Sequence, residues 1–217
     1  MKHYMPTPDS QAHEQIMPAN FVYLRDAVPD IVEDVRYFCA DNFVGEPIPG
    51  YEAARLLITA EAAAALQQVQ QHLQQVGLGL KVFDAYRPRR AVNFFREWAQ
   101  NAQDIRKQAV HYPRLDKTSL FTAGYLVEFS SHSRGSTVDL TIIDACGAEL
   151  DMGTCFDYFD LSSWTASNSV NAQQRANCLL LRTVMELHHF LPVEEEWWHF
   201  TLKNEPYPHT WFDFPVR

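Results

Sequence analysis

No stretch of the 217-residue chain strings together the ~20 apolar residues that a bilayer-spanning helix requires. Residues 1–10 lack the apolar core of a secretory signal, so the expectation is a cytoplasmic protein with no membrane partner. Positive charge is in deficit: 18 lysines and arginines stand against 27 aspartates and glutamates, a formal net charge of −9. That balance argues against a nucleic-acid partner held through its phosphates. Cys39, Cys146, Cys155 and Cys178 form no CxxC pair and no disulfide-rich framework, which leads to free, reduced thiols. Internal repeats and low-complexity tracts are absent. What remains is a chain with 47% hydrophobic residues, long enough for one sizeable core. We expect an extended, proline-bearing arm over 1–20 and a single domain over 21–217.

The most informative stretch is 130–141, which reads Ser-Ser-His-Ser-Arg-Gly-Ser-Thr-Val-Asp-Leu-Thr. It sets His132 and Asp139 seven residues apart with Gly135 between them. Residues 137–143 are rich in β-branched side chains and predict a buried strand, entered through a turn at Gly135. An ionised Asp139 inside such an apolar run is costly unless something pairs with it. A metal ion shared with His132 is one such partner, and an ordinary hydrogen bond is another.

A second stretch, 194–200, supplies Glu196 and His199 ahead of an aromatic run. A hydrolytic zinc centre needs three protein ligands, an open position for water and a carboxylate to take the water's proton. His132, Asp139 and His199 with Glu196 fill those roles; the plainer reading is an acidic turn before a strand with a packed histidine. Residues three apart on a regular strand face opposite ways. Glu196 must therefore sit on a turn at the strand's start if it is to share a cavity with His199.

The remaining chain alternates helices and strands without a strict βαβ rhythm, which predicts an α+β domain with helices over a largely antiparallel sheet. A helix capped by Thr59 carries Ala62, Leu66, Val69, Leu73 and Val76 on one face and stops at Gly77. Residues 78–86 predict a strand, and Pro88 begins a helix with Ala91, Phe94, Phe95 and Trp98 inward. Arg87 stands at that strand-to-helix junction, where it is either aimed into a cleft or paired at the surface with Asp84. A further strand is expected over 124–129, a hairpin turn over 144–147, and an aromatic tail that packs down over 207–215. A helix over 172–188 is expected to bury Ala176, Leu179, Leu180, Val184 and Leu187.

Taken together, these residues resemble the D-alanyl-D-alanine dipeptidases of the VanX type, zinc D,D-peptidases that share a fold with the Hedgehog amino-terminal domain. The resemblance is carried by Asp41-Asn42-Phe43-Val44-Gly45, Asp84-Ala85-Tyr86-Arg87-Pro88, the stretch 130–136, Phe156-Asp157, Glu196-Trp197-Trp198-His199 and Glu205-Pro206-Tyr207-Pro208, and it covers nearly everything after residue 20. It implies one zinc per chain on His132, Asp139 and His199, with Glu196 as general base and Arg87 stabilising the transition state. It further implies that Tyr37, Ser130 and Asp157 line the substrate cavity. The implied substrate is the free dipeptide D-Ala-D-Ala, whose ammonium would call for a carboxylate such as Asp157; that aspartate could instead only pin its own loop. Two rivals stay open: a D,D-carboxypeptidase or endopeptidase on peptidoglycan, and a non-catalytic zinc domain. The first would want a leader or anchor, and the second should lack Glu196 or Arg87. Whether the chain forms a homo-oligomer is left open.

Overall fold

The computed structural model describes residues 16–217. The expected arm over 1–20 thus falls mostly on residues outside the described part; its end turns into the domain where Asn20 Nδ2 donates to Glu61 Oε2 at 2.8 Å. Strand β1 (Phe21–Tyr23), the one-turn helix α1 (Leu24–Ala27) and β2 (Val32–Glu33) open the fold, and β3 (Leu57–Thr59) returns to pair antiparallel with β1. There follow α2 (Ala60–Gln74), β4 (Gly79–Asp84), α3 (Arg89–Gln100), the short α4 (Gln108–His111), β5 (Thr137–Ile143), α5 (Ala172–Leu187), β6 (Phe190–Pro192) and β7 (His199–Leu202). The main sheet runs β2-β4-β5-β7-β6, parallel only where β2 meets β4. This is the expected α+β domain with a mostly antiparallel sheet.

The sheet has two unlike faces, and β5 shows why. Side chains alternate along a strand, so Val138, Leu140 and Ile142 point one way while Thr137, Asp139 and Thr141 point the other. The register matches Leu80 and Val82 of β4 to Ile142 and Leu140, and Phe200 of β7 to Val138, which makes the first face continuous and apolar. Leu66 and Val69 of α2 and Leu181 and Met185 of α5 join this face in one core. Burying each such side chain contributes about 1.5–3 kcal/mol. The second face is polar and carries the chemistry.

Several expectations are corrected. Residues 124–129 form no strand: Tyr125 and Leu126 N–H groups bond back to the Leu120 carbonyl instead of to a neighbouring strand, and Val127 and Phe129 stay exposed. The second concerns α5, which begins at a capping box between Asn171 and Gln174 but buries Cys178, Leu181, Val184 and Met185. Of the expected face only Val184 is buried; Leu179 and Leu187 are 60% and 58% exposed. The helix has apolar stripes on both sides, and the sheet takes the other one. At α2 the helix ends at Gln74, leaving Val76 exposed, and the Thr59 hydroxyl shares a hydrogen bond with the Ser136 hydroxyl at 2.7 Å and makes no side-chain cap on the helix. The tail does pack down: Phe214 stacks on Tyr86, whose hydroxyl donates to the Phe214 carbonyl at 2.9 Å.

Gly135 turns the chain into β5 with φ of +88°, and a Cβ there would collide with the Phe21 ring. Gly124 has a similar φ of +86° but open space around it. Gly124→Ala should therefore cost only the left-handed backbone penalty of about 1–2 kcal/mol. Gly135→Ala should add an overpacking cost of about 1–3 kcal/mol. Urea denaturation of the two variants compares them directly, and equal losses would remove the Phe21 contact as a constraint.

Candidate metal centre and active site

The polar face is built by strand register. Asp139 of β5 lies directly across from His199 of β7 on one side and from Asp84 of β4 on the other. The Asp84 pairing exists because β4 bulges between Val82 and Asp84, so that Phe83 is passed over. Side chains directly opposite in adjacent strands share a face, and Asp84, Asp139 and His199 thus form a row across three strands. His132 reaches the row from the 3-10 turn Ser131–Arg134 that precedes β5. Glu196 sits on the turn before β7, as the spacing required. That turn is pinned by the His199 N–H on the Glu196 carbonyl at 3.3 Å and by the burial of Trp197 and Trp198.

His132, Asp139 and His199 each present a donor atom to one point. His132 Nε2 is 3.3 Å from His199 Nδ1 and 3.2 Å from Asp139 Oδ2, and His199 Nδ1 is 3.1 Å from Asp139 Oδ1. Tetrahedral ligands with bonds near 2.0–2.1 Å stand about 3.3 Å apart. The nitrogens that face away from the group have partners of their own. His132 Nδ1 donates to the Ala85 carbonyl at 2.7 Å, which leaves the Nε2 lone pair facing the group. His199 Nε2 meets Ser131 Oγ at 3.3 Å. Asp139 Oδ1 is buried without a hydrogen bond, an expensive state that a cation would relieve. The donor set fits a divalent metal of zinc-like preference.

Arg87 settles both of its sequence readings at once. It does pair with Asp84, Nε to Oδ2 at 2.8 Å, but inside the protein, and it also donates to Asp139 Oδ2 at 3.2 Å. Its guanidinium lies over the Tyr37 ring at 5.0 Å. Asp84, wholly buried, further accepts from Tyr51 Oη at 2.8 Å. Asp84 and Tyr51 are functional candidates that sequence reading left out; the i, i+3 spacing of Asp84 and Arg87 was the available signal.

Tyr37 Oη donates to Asp157 Oδ2 at 2.9 Å. Asp157 itself has a left-handed φ of 57°, strained for a non-glycine residue. His111, from the connection after α3, holds that backbone through its Nδ1 on the Asp157 carbonyl at 3.0 Å; no sequence signal distinguished it. Ser130 uses its hydroxyl to cap the 3-10 turn, accepting from the His132 N–H at 3.3 Å. Burial pushes the Asp157 and Glu196 carboxyls well above the usual range, and the Asp139 charge adds to both shifts. Burial works against the Asp139 charge too, yet the two imidazoles hold that carboxyl below its ordinary value. All eight residues singled out in the sequence line one cavity of about 290 Å³.

An α+β domain that gathers a three-ligand donor set, a nearby carboxylate and a fixed guanidinium has the make-up of a metal-assisted hydrolase. The chain belongs to the M15 peptidase family: the family model described as D-Ala-D-Ala dipeptidase matches residues 17–217. Among curated proteins it is similar to a D-alanyl-D-alanine dipeptidase of Enterococcus faecium, 39% identical over 202 residues that cover 93% of this chain and 100% of the relative. One of the same name from Streptomyces coelicolor is 40% identical over 201 residues, 92% of this chain and 100% of its own length. Another from Escherichia coli is 36% identical over 177 residues, 80% of each chain. Among the described residues no helix is long and apolar enough to cross a membrane.

Metal analysis tests the donor set. Divalent metal bound by the purified protein should be lost in His132→Ala and in His199→Ala and kept in Glu196→Ala. Full occupancy in both histidine variants would move the metal elsewhere.

Proposed function

We propose that this chain is a cytoplasmic, zinc-dependent dipeptidase that hydrolyses D-Ala-D-Ala, with residues 21–217 as its catalytic unit. The observation that carries the reading is the meeting of the His132, Asp139 and His199 donors with Glu196 and Arg87 in one small cavity. Bound zinc would polarise water and the scissile carbonyl. Glu196, with its carboxylate 3.5 Å from His199 Nδ1, takes the proton of the attacking water and returns it to the leaving amine. Arg87, held by Asp84 and Asp139, offsets the negative charge that grows on the carbonyl oxygen. It keeps its own charge throughout and presents a rigid fork of donors.

Asp157 receives the substrate ammonium, aimed by the Tyr37 hydroxyl and by His111 on its backbone. Burial and the Asp139 charge raise its proton affinity, and a cationic partner would restore its charge. A buried carboxylate gains its charge when a cationic partner arrives. Ser130 lines the same cavity. A carboxypeptidase acting on longer peptides has no use for such an amine pocket.

Glu196→Ala should abolish most of kcat while the metal stays. Arg87→Ala should lower kcat by about 10²–10³-fold with little change in KM. Asp84→Asn, which loosens the guanidinium without removing it, should give a smaller loss of the same kind. Steady-state kinetics on D-Ala-D-Ala reads all three, and a pure KM effect for Arg87→Ala would assign it to ground-state binding instead.

Substrate choice is read with D-Ala-D-Ala and its N-acetyl derivative. Blocking the amine leaves Asp157 buried without a partner, so kcat/KM should fall by about 10⁴-fold. Comparable values for the two would favour the peptidoglycan carboxypeptidase.

A further inference from the structure

Away from the cavity, a second pair of histidines meets where two helices end. His72 lies in the last turn of α2 and His188 directly follows the last residue of α5. His72 Nδ1 stands 3.4 Å from His188 Nε2, and neither residue lines the cavity. The arrangement closely repeats that of the imidazoles in the active site. There the nitrogens are 3.3 Å apart and the rings cross at 76° with centroids 4.9 Å apart. In the second pair the rings cross at 85° with centroids 5.7 Å apart.

Two ring nitrogens at this separation either share one proton or turn both lone pairs on one cation. The surroundings favour a cation. Both helices direct their carbonyl ends, the negative poles of their dipoles, toward this place. His72 is exposed, which gives an ion direct access from solvent.

We propose that His72 and His188 form a second metal site, which takes a divalent transition ion of the zinc class with water completing its shell. Imidazole ligands select such ions over the oxygen-seeking Mg²⁺ and Ca²⁺. An ion there ties the end of α2 to the end of α5, on residues that play no part in the proposed hydrolysis. The site stands independently of which substrate the cavity takes.

Purified protein dialysed to constant metal content is titrated with ZnCl₂ in a calorimeter, with MgCl₂ as the comparison. The wild type should take up one further equivalent of Zn²⁺ and none of Mg²⁺, with a rise in Tm. His72→Ala and His188→Ala should each lose that equivalent and the Tm rise, while retaining wild-type kcat and the metal bound before titration. Retained kcat serves as the control for folding. No further uptake by the wild type, uptake that survives in either variant, or equal uptake of Mg²⁺ overturns the proposal.

Discussion

Two buried carboxylates stand side by side in the middle of the sheet, and the rest of the site follows from how they are tolerated. Asp84 and Asp139 are register neighbours on adjacent strands, 0% and 1% exposed. Like charges directly opposite repel, and each carries a desolvation cost. Arg87 bridges them, and a bridged position is a fixed one. The cavity also holds Asp157 and Glu196, while its other arginine, Arg134, is already engaged by Glu205 at 2.8 Å. Carboxylate therefore exceeds available cation in the protein alone. The proton affinity of Asp157 and Glu196, raised first by burial, is raised further by that excess. A divalent ion on the donor set and an ammonium on Asp157 would balance it.

The fold makes this arrangement affordable by separating its two tasks. One sheet face, with Leu80, Val82, Val138, Leu140 and Phe200, is given wholly to the core beneath α2 and α5. The opposite face can then carry Asp84, Asp139 and His199 without loss of packing elsewhere. The elements that bring the remaining groups are anchored by bulky neighbours: Trp197 and Trp198 beside Glu196, and Phe156, stacked on Phe83, beside Asp157. Those anchors hold the groups in place before any ligand arrives, the condition for electrostatic stabilisation of a transition state.

Legibility in the sequence followed the range of the interactions. Motif spacing singled out His132, Asp139, Glu196 and His199, the strand-to-helix junction pointed to Arg87, and the family resemblance added Tyr37, Ser130 and Asp157; the structure brings all of them to one cavity. The strand at 137–143, the turn at Gly135 and the helices after Thr59 and Pro88 were readable because local backbone preference and side-chain period agree there. The segment 124–129 misled because an apolar run predicts a strand only if a partner strand is at hand, and among the described residues none pairs with it. Tyr51 and His111 were not separated from ordinary polar residues, because their importance lies in contacts made across 33 or more positions of chain, and Asp84, whose pairing with Arg87 is local, was read only as a surface partner.

The sequence by itself determined which residues could bind a metal, move a proton or carry a fixed charge, and where backbone chemistry demands glycine or starts a helix. Those properties belong to single residues and short spacings. Only the tertiary structure decided which of two apolar stripes α5 buries, since both satisfy the helical period and the sheet surface makes the choice. It alone decided that a bulge passes over Phe83 and sets Asp84 beside Asp139, making Arg87 an interior bridge rather than a surface partner. Register between strands is a long-range quantity, fixed when the whole apolar face closes, and the chemistry on the other face is carried along with it.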